Sequence, residues 1–362
     1  MSRRHLLPQS QTSTTETIDP ANFVSVIDNP YFSMPVGTTF VLESSDGTEV
    51  NTIEVTNRTK VIMGVTCTVV LDTVYVDGRV AEKTFDYFAQ DNTGTVWYFG
   101  EASKEFDEEG GHVSREGSWL AGVNDALPGI IMEANPQVGD SYQQEIAPGI
   151  AEDQALVASL TGSTSVPYGS FSNLLVTEET SLLDPGTLEH KFYAFGIGLL
   201  QEANGDTNNL VKILFNGTSH DDTLVGRAGT DELTGLAGHD TISGQDGDDI
   251  INGGLGHDTL DGGTGRDTYV YRSANEGTDT INGFQTGAGG DVIDLRDVLQ
   301  GFEAGDDPND FVNLVENSGD TTVQVDTNGA TGGSHFTDIA VLSGVTGATV
   351  DNLVADGNLA LA

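Results

Sequence analysis

A nine-residue beat runs through residues 217–270, and it constrains the fold more tightly than anything else in the chain. Six units open on Gly217, Gly226, Gly235, Gly244, Gly253 and Gly262. The fourth position is Gly229, Gly238, Gly247, Gly256 and Gly265 in five units, and His220 in the first. The sixth is always aspartate: Asp222, Asp231, Asp240, Asp249, Asp258 and Asp267. The eighth is large and apolar, from Leu224 through Leu233, Ile242, Ile251 and Leu260 to Tyr269. A fixed period of this kind marks a stacked repeat. One inward apolar residue with two flanking neighbours makes a very short strand. The six residues before it must reverse the chain, and glycine supplies the positive-φ conformations this needs. Two units then form one coil with a strand on each side. Stacked coils bury an apolar column that no single unit could bury.

The turns stack as well. Asp222, Asp240 and Asp258 fall on one edge of the coil; Asp231, Asp249 and Asp267 fall on the other. Such carboxylate ladders repel themselves unless a cation lies between the turns. A hard ion with 6–8 oxygen ligands fits, which favours Ca²⁺ over Mg²⁺ with its strict octahedron. Transition metals prefer nitrogen or sulfur. Two adjacent pairs per edge predict about four calcium ions. The whole chain needs such neutralisation, with 56 acidic residues against 14 basic ones and a net charge of −42. That balance excludes nucleic acid and anionic membranes as partners. His239 and His257, with His220 near them, read either as solvated turn tips or as a stack that binds Zn²⁺ or senses pH.

GGLGHDTLD and GGTGRDTYV resemble the nonapeptide of the RTX, or haemolysin-type calcium-binding, family. The other units carry Thr218, Arg227, Leu236 and Gln245 in place of the second glycine. The resemblance implies a parallel β-roll. It also implies that the carbonyls of positions 1 and 3 join the aspartates as ligands: Gly235, Ala237, Gly244, Asp246, Gly253, Leu255, Gly262 and Thr264. Downstream, TDTINGFQTGAGGDVIDLRDVL is similar to the C-terminal target region of type I secreted RTX proteins, and this similarity adds Asp279 as a ligand. It implies export by the type I secretion machinery through an uncleaved C-terminal signal. The opening residues, which lack the apolar core of a secretory signal peptide, agree with that expectation. The repeat would then stay unfolded in a low-calcium cytosol and fold outside the cell, where binding free energy becomes folding free energy.

The expected organisation is a disordered tail (1–17), an antiparallel β-domain (18–214), the calcium roll (215–272) and a β-rich target domain (273–362). The fold class is mainly β. In 18–214, β-branched and aromatic runs alternate with Asp46-Gly47, Asp77-Gly78 and other turn signals, the pattern of a meander closed as a barrel or sandwich. Only GVNDALPGIIMEANP reads as a short helix or long loop. The single cysteine, Cys67, reads as a buried apolar residue. No stretch has the roughly 20 apolar residues of a membrane span. No nucleophile elbow, HExxH, CxxC or phosphate loop is present, so no catalytic residue is assigned.

The domain resembles uncharacterised secreted bacterial β-domains. Three readings stand. One is a non-catalytic domain binding a glycan, lipid or surface partner, with Trp97, Tyr98 and Phe99 as candidate pocket residues. A second is a hydrolase using carboxylates among Glu101, Glu105, Asp107, Glu108 and Glu109, with His112, Ser118 and His190 as further candidates. The third is a calcium-dependent matrix protein.

Overall fold

The computed structural model describes residues 18–362 except 108–109, 206, 300, 304 and 330–333. The expected disordered tail and the candidates Glu108 and Glu109 lie outside the described residues. The architecture is mainly β, and among the described residues there is one α-helix, Val350–Asp356.

The alternating runs of the N-terminal half become long antiparallel strands. Asp77 and Gly78 both take positive φ, 50° and 74°, and turn Val65–Val76 directly onto Arg79–Asp91. Neighbouring strands pair in sequence from Thr38–Ser44 to Val96–Phe106. Leu127–Met132 and the stretch 141–146 carry the pairing on to Asp153–Val166. Three further strands lead to Thr207–Asn216, which pairs with Thr38–Ser44. The ring is therefore closed, and the domain is a barrel. GVNDALPGIIMEANP holds no helix. It is a tight turn through Asn124 and Asp125, both left-handed (φ 51° and 63°), followed by the strand Leu127–Met132. Short Asn and Asp side chains tolerate that conformation, so a turn forms where glycine is absent. Cys67 is fully buried and free.

Thr207–Asn216 belongs to both halves of the molecule. Residues 207–209 pair with Gly198–Ala203, while Ile213 to Asn216 pair in parallel with Asp231–Thr234 of the second repeat unit. The expected boundary at 214/215 thus falls inside a continuous strand. Parallel pairing then propagates through two columns of inward residues. One runs Phe215, Leu233, Ile251, Tyr269, Ile293, Leu359. The other runs Leu224, Ile242, Leu260, Ile281, Leu342. The last members of both columns come from the region after the repeats, which therefore continues the same solenoid. The helix Val350–Asp356 starts on Thr349, whose hydroxyl accepts the Asn352 N–H, and stops on the left-handed Gly357. It delivers the closing strand Leu359–Ala360.

Ile213 is fully buried in the shared strand. Ile213→Ala should cost about 2–5 kcal/mol. Both tryptophans, Trp97 and Trp119, lie in the barrel strands, so tryptophan fluorescence follows the barrel while far-UV circular dichroism follows the whole chain. Both signals should fall in one transition at a lower temperature. Two separated transitions would show that the strand does not couple the halves.

Candidate functional site

Stacking brings the predicted aspartates into line. The Asp222 N–H donates to Asp240 Oδ1 and the Asp240 N–H to Asp258 Oδ1, both at 2.8 Å. On the other edge Asp231 donates to Asp249 at 2.8 Å and Asp249 to Asp267 at 3.0 Å. Both ladders run one rung beyond the repeats, Asp258 to Asp279 and Asp267 to Asp291, each at 3.0 Å. Asp279 was expected. Asp291 was not, although it stands in GGDVIDL; it follows Asp267 by 24 residues rather than 18, and the extra residues loop out before it. From Asp231 onward every rung is at most 2% exposed.

The two carboxylate oxygens are used differently. Oδ1 accepts the backbone bond from the coil above. At the first rungs Oδ2 is satisfied locally, by Thr218 N–H and hydroxyl for Asp222 and by Arg227 N–H for Asp231. Asp291 Oδ2 accepts from Gln285 N–H at 2.8 Å. Between these ends Oδ2 of Asp240, Asp249, Asp258 and Asp267 is buried with no hydrogen-bond partner. A Cβ built on Gly235 would lie 2.2 Å from Asp240 Oδ2 and 2.5 Å from the Gly253 carbonyl oxygen; one on Gly244 would lie 2.2 Å from Asp249 Oδ2 and 2.6 Å from the Gly262 oxygen. Position 1 is therefore glycine where a carboxylate oxygen and a carbonyl of the next coil converge. Burial disfavours the charged form of these acids and pushes Asp249 and Asp279 up to about 7 and Asp231 and Asp267 up to about 6. Burial also raises Asp240, Asp258 and Asp291.

Three of the predicted position-3 carbonyls are already engaged once. Asp246, Leu255 and Thr264 accept from Gly229, Gly238 and Gly247 N–H at 2.7, 2.9 and 2.9 Å, which leaves each a second lone pair. No cluster of three or more His, Cys, Asp or Glu side chains able to hold a metal occurs among the described residues. Any ion in the roll must therefore draw on backbone oxygens. Position 4 is glycine for a steric reason: a Cβ on Gly256 would sit 1.7 Å from the Gly238 oxygen of the coil above. His220 escapes this because its unit is the first on its edge. His239 and His257 stack with ring centroids 5.8 Å apart. Their Nδ1 atoms accept the His257 and Thr278 N–H of successive coils, so they hold the turn edge together. Arg266 does not pair with the adjacent Asp267; it reaches the Gly290 and Gly357 carbonyls at 3.2 and 3.1 Å.

The family model for the RTX calcium-binding nonapeptide repeat (4 copies) matches residues 216–249 and 234–269. Residues 216–269 are RTX calcium-binding repeats. Among solved structures, the R3 subunit of the Azotobacter vinelandii mannuronan C5-epimerase is similar at 24% identity and a TM-score of 0.29, over 38% of this chain and 78% of its own. The R2 subunit of that enzyme is similar at 24% identity and a TM-score of 0.30, over 40% of this chain and 91% of its own. No curated protein matches the chain.

One partner of the RTX ladder comes from the barrel. The buried Tyr168, on the turn between two barrel strands, donates its hydroxyl to Asp231 Oδ1 at 2.8 Å. It thus occupies the place that a preceding coil's aspartate N–H takes lower down. Nothing in the sequence links two residues 63 apart in this way. Arg227 adds a bond to the Ile197 carbonyl and lies over the Phe40 ring.

The barrel candidates are only partly assembled. Tyr98 and Phe99 are buried, while Trp97 is half-buried with its indole N–H on Asp91 at 2.9 Å. Glu101 lines a cavity together with Ser118 and Trp119. His112 is exposed, with Nδ1 3.3 Å from the Glu105 carbonyl oxygen, and Asp107 caps the Gly111 N–H of its turn. His190 makes a surface pair with Glu178 at 3.7 Å.

In chelator, the folded ladder holds protons that the unfolded chain releases near pH 4. That contribution is present at low pH and is lost as pH rises through about 6–7, the range of the raised aspartates. The far-UV β signal that the roll keeps in EDTA should therefore fall from pH 5 to pH 8. Saturating calcium, which favours the ionised form, should remove most of the fall.

Proposed function

We propose that this is a secreted protein whose RTX roll takes up calcium and folds after export by a type I machinery, carrying the barrel as a non-catalytic domain that binds an extracellular glycan, lipid or surface partner. The observation that carries the calcium reading is the set of four buried aspartate oxygens without partners, two on each edge. Asp240 and Asp258, and Asp249 and Asp267, would hold the ions. The position-1 carbonyls, such as Gly253 and Gly262, and the free lone pairs of position 3 would complete all-oxygen shells of the kind calcium prefers. Four such oxygens support a count of about four ions. Among the described residues no helix is long and apolar enough to cross a membrane.

Equilibrium dialysis of the full chain should find about four calcium ions per molecule. Asp249→Asn keeps the Oδ1 acceptor and replaces the free oxygen with an amide, so it should lose one ion and remain folded at saturating calcium. The far-UV β signal of the roll should grow on calcium addition; equal signal in EDTA would sink the coupling of binding to folding. For the barrel, the calcium-loaded protein is screened on glycan and lipid arrays, and silence on both counts against a binding domain.

A hydrolase remains the second reading on one observation. The Tyr98 hydroxyl bridges Asp86 Oδ1 at 2.6 Å and Glu101 Oε2 at 2.9 Å, and burial pushes Glu101 up to about 7. Such an acid can serve at neutral pH. Turnover of model glycosides or esters that disappears in Glu101→Gln would establish it.

A further inference from the structure

The roll rests on the barrel along one edge only. Asp231–Thr234, the first strand of one column, lies in parallel against Ile213 to Asn216 of the shared strand. Thr223–Val225, the first strand of the other column, pairs with Thr241–Asp246 and has no strand above it among the described residues. The leading rungs differ in the same way. Asp231 is fully buried and Asp222 half-buried. Among the described residues, no hydrogen bond from outside its own unit reaches the Asp222 carboxylate, whose Oδ2 is held by Thr218.

On its own edge the barrel supplies a substitute for the missing coil. The Tyr168 N–H donates to the Leu210 carbonyl of the shared strand at 3.1 Å, which fixes the residue to the barrel wall. Its hydroxyl donates to Asp231 Oδ1, where a coil above would offer an aspartate N–H. Its carbonyl completes the likeness. A Cβ built on Gly247 would lie 2.2 Å from the Gly229 oxygen, and one on Gly265 would lie 1.9 Å from the Gly247 oxygen. One on Gly229 would lie 2.6 Å from the Tyr168 oxygen. Tyr168 therefore heads both the carbonyl column and the aspartate ladder of this edge. On the open edge the corresponding carbonyl belongs to His220, inside the first repeat unit. Arg227 adds a second tie: its N–H donates to Asp231 Oδ2, and its guanidinium holds the Ile197 carbonyl and lies 5.4 Å from the centre of the Phe40 ring.

We infer that Tyr168 is a positioning residue for calcium, and that the site at Asp249 fills at lower calcium than the site at Asp240 on the open edge. Asp231, held on both carboxylate oxygens by Tyr168 and Arg227, donates its N–H to Asp249 Oδ1 at 2.8 Å. That bond fixes Asp249 with its free Oδ2 in the gap it shares with the Gly262 carbonyl. A site whose ligands are already ordered gives up less freedom on binding and is tighter for it. Asp240 has the same local geometry, but its ladder begins on the exposed stretch 218–221, which must be ordered when the ion binds. Stacked repeats order from neighbour to neighbour, so calcium-driven folding starts at the barrel and moves outward. This inference rests on the calcium reading of the roll and is independent of what the barrel binds.

The test is a calorimetric calcium titration of the full-length protein after chelator treatment. About four ions should bind in two steps. Asp249→Asn should remove an ion from the tighter step and Asp240→Asn an ion from the weaker one. Tyr168→Phe keeps the ring and loses only the hydroxyl. It should raise the calcium midpoint of the tighter step about tenfold, the scale of one lost hydrogen bond to a charged group, with the number of ions unchanged. A merely structural tyrosine would lower the melting curve and leave the calcium midpoint where it was, and that result overturns the inference. So does loss of the tighter step in Asp240→Asn, or binding of all ions in a single step. If Tyr168→Phe fails to fold, the two aspartate variants decide by themselves. Calcium binding in one step overturns this inference and leaves the calcium reading standing; no calcium binding at all overturns both.

Discussion

One hydrogen bond organises the C-terminal half: each aspartate N–H donates to the Oδ1 of the aspartate one coil further on. The bond requires the aspartates to stack in register, and the nine-residue period supplies that register. It also divides the carboxylate. One oxygen is committed to the backbone, so only Oδ2 is left to meet a cation. The glycines follow from the same spacing. At position 4 a Cβ would strike the carbonyl of the coil above, and at position 1 it would fill the gap in which Oδ2 and the next coil's carbonyl meet. The repeat is thus glycine-rich for two distinct steric reasons, and neither is flexibility.

The bond outlasts the period that created it. Asp279 and Asp291 continue the ladders at spacings of 21 and 24 residues, with the surplus looped out and the inward columns unbroken through Ile281 and Ile293. A stack of this kind needs ends. At one end the barrel strand Thr207–Asn216 offers its edge to the roll, and Tyr168 supplies the first donor to Asp231. At the other, Asn358, fully buried, bonds the Asp291 carbonyl at 2.7 Å, and Arg266 ties the last repeat to Gly357. The roll is closed at both ends by residues outside the repeat.

What the sequence made legible follows from range. The roll was readable because its interactions recur at a constant interval, so that one unit predicts the next. The barrel strands were readable from alternation and from turns such as Asp77–Gly78. The meander left barrel and sandwich open, because closure depends on Thr38–Ser44 meeting Thr207–Asn216, a pairing that no local pattern records. Asp291 was visible as a motif residue but hidden as a rung by its irregular spacing. Tyr168 carried no signal at all. The turn at Asn124–Asp125 was missed for a local reason: the left-handed pair contains no glycine.

The net charge of −42 conceals two different problems. In the roll, the acids are equally spaced, lie along an edge and share their environment with backbone oxygens, so point cations between coils can neutralise them one rung at a time. In the barrel, Asp72, Asp86, Glu101 and Glu145 come from separate strands. No single ion touches enough of them, and burial holds their protons in place instead, with Asp72 and Glu101 pushed up to about 7 and Glu145 to about 8. The same residue type therefore stands in a regular ladder beside backbone oxygens in one half and is held towards its protonated form by burial in the other. The strand Thr207–Asn216 joins the two. Any ligand that stabilises one half is felt by the other through that strand, in proportion to how far their unfolding is coupled.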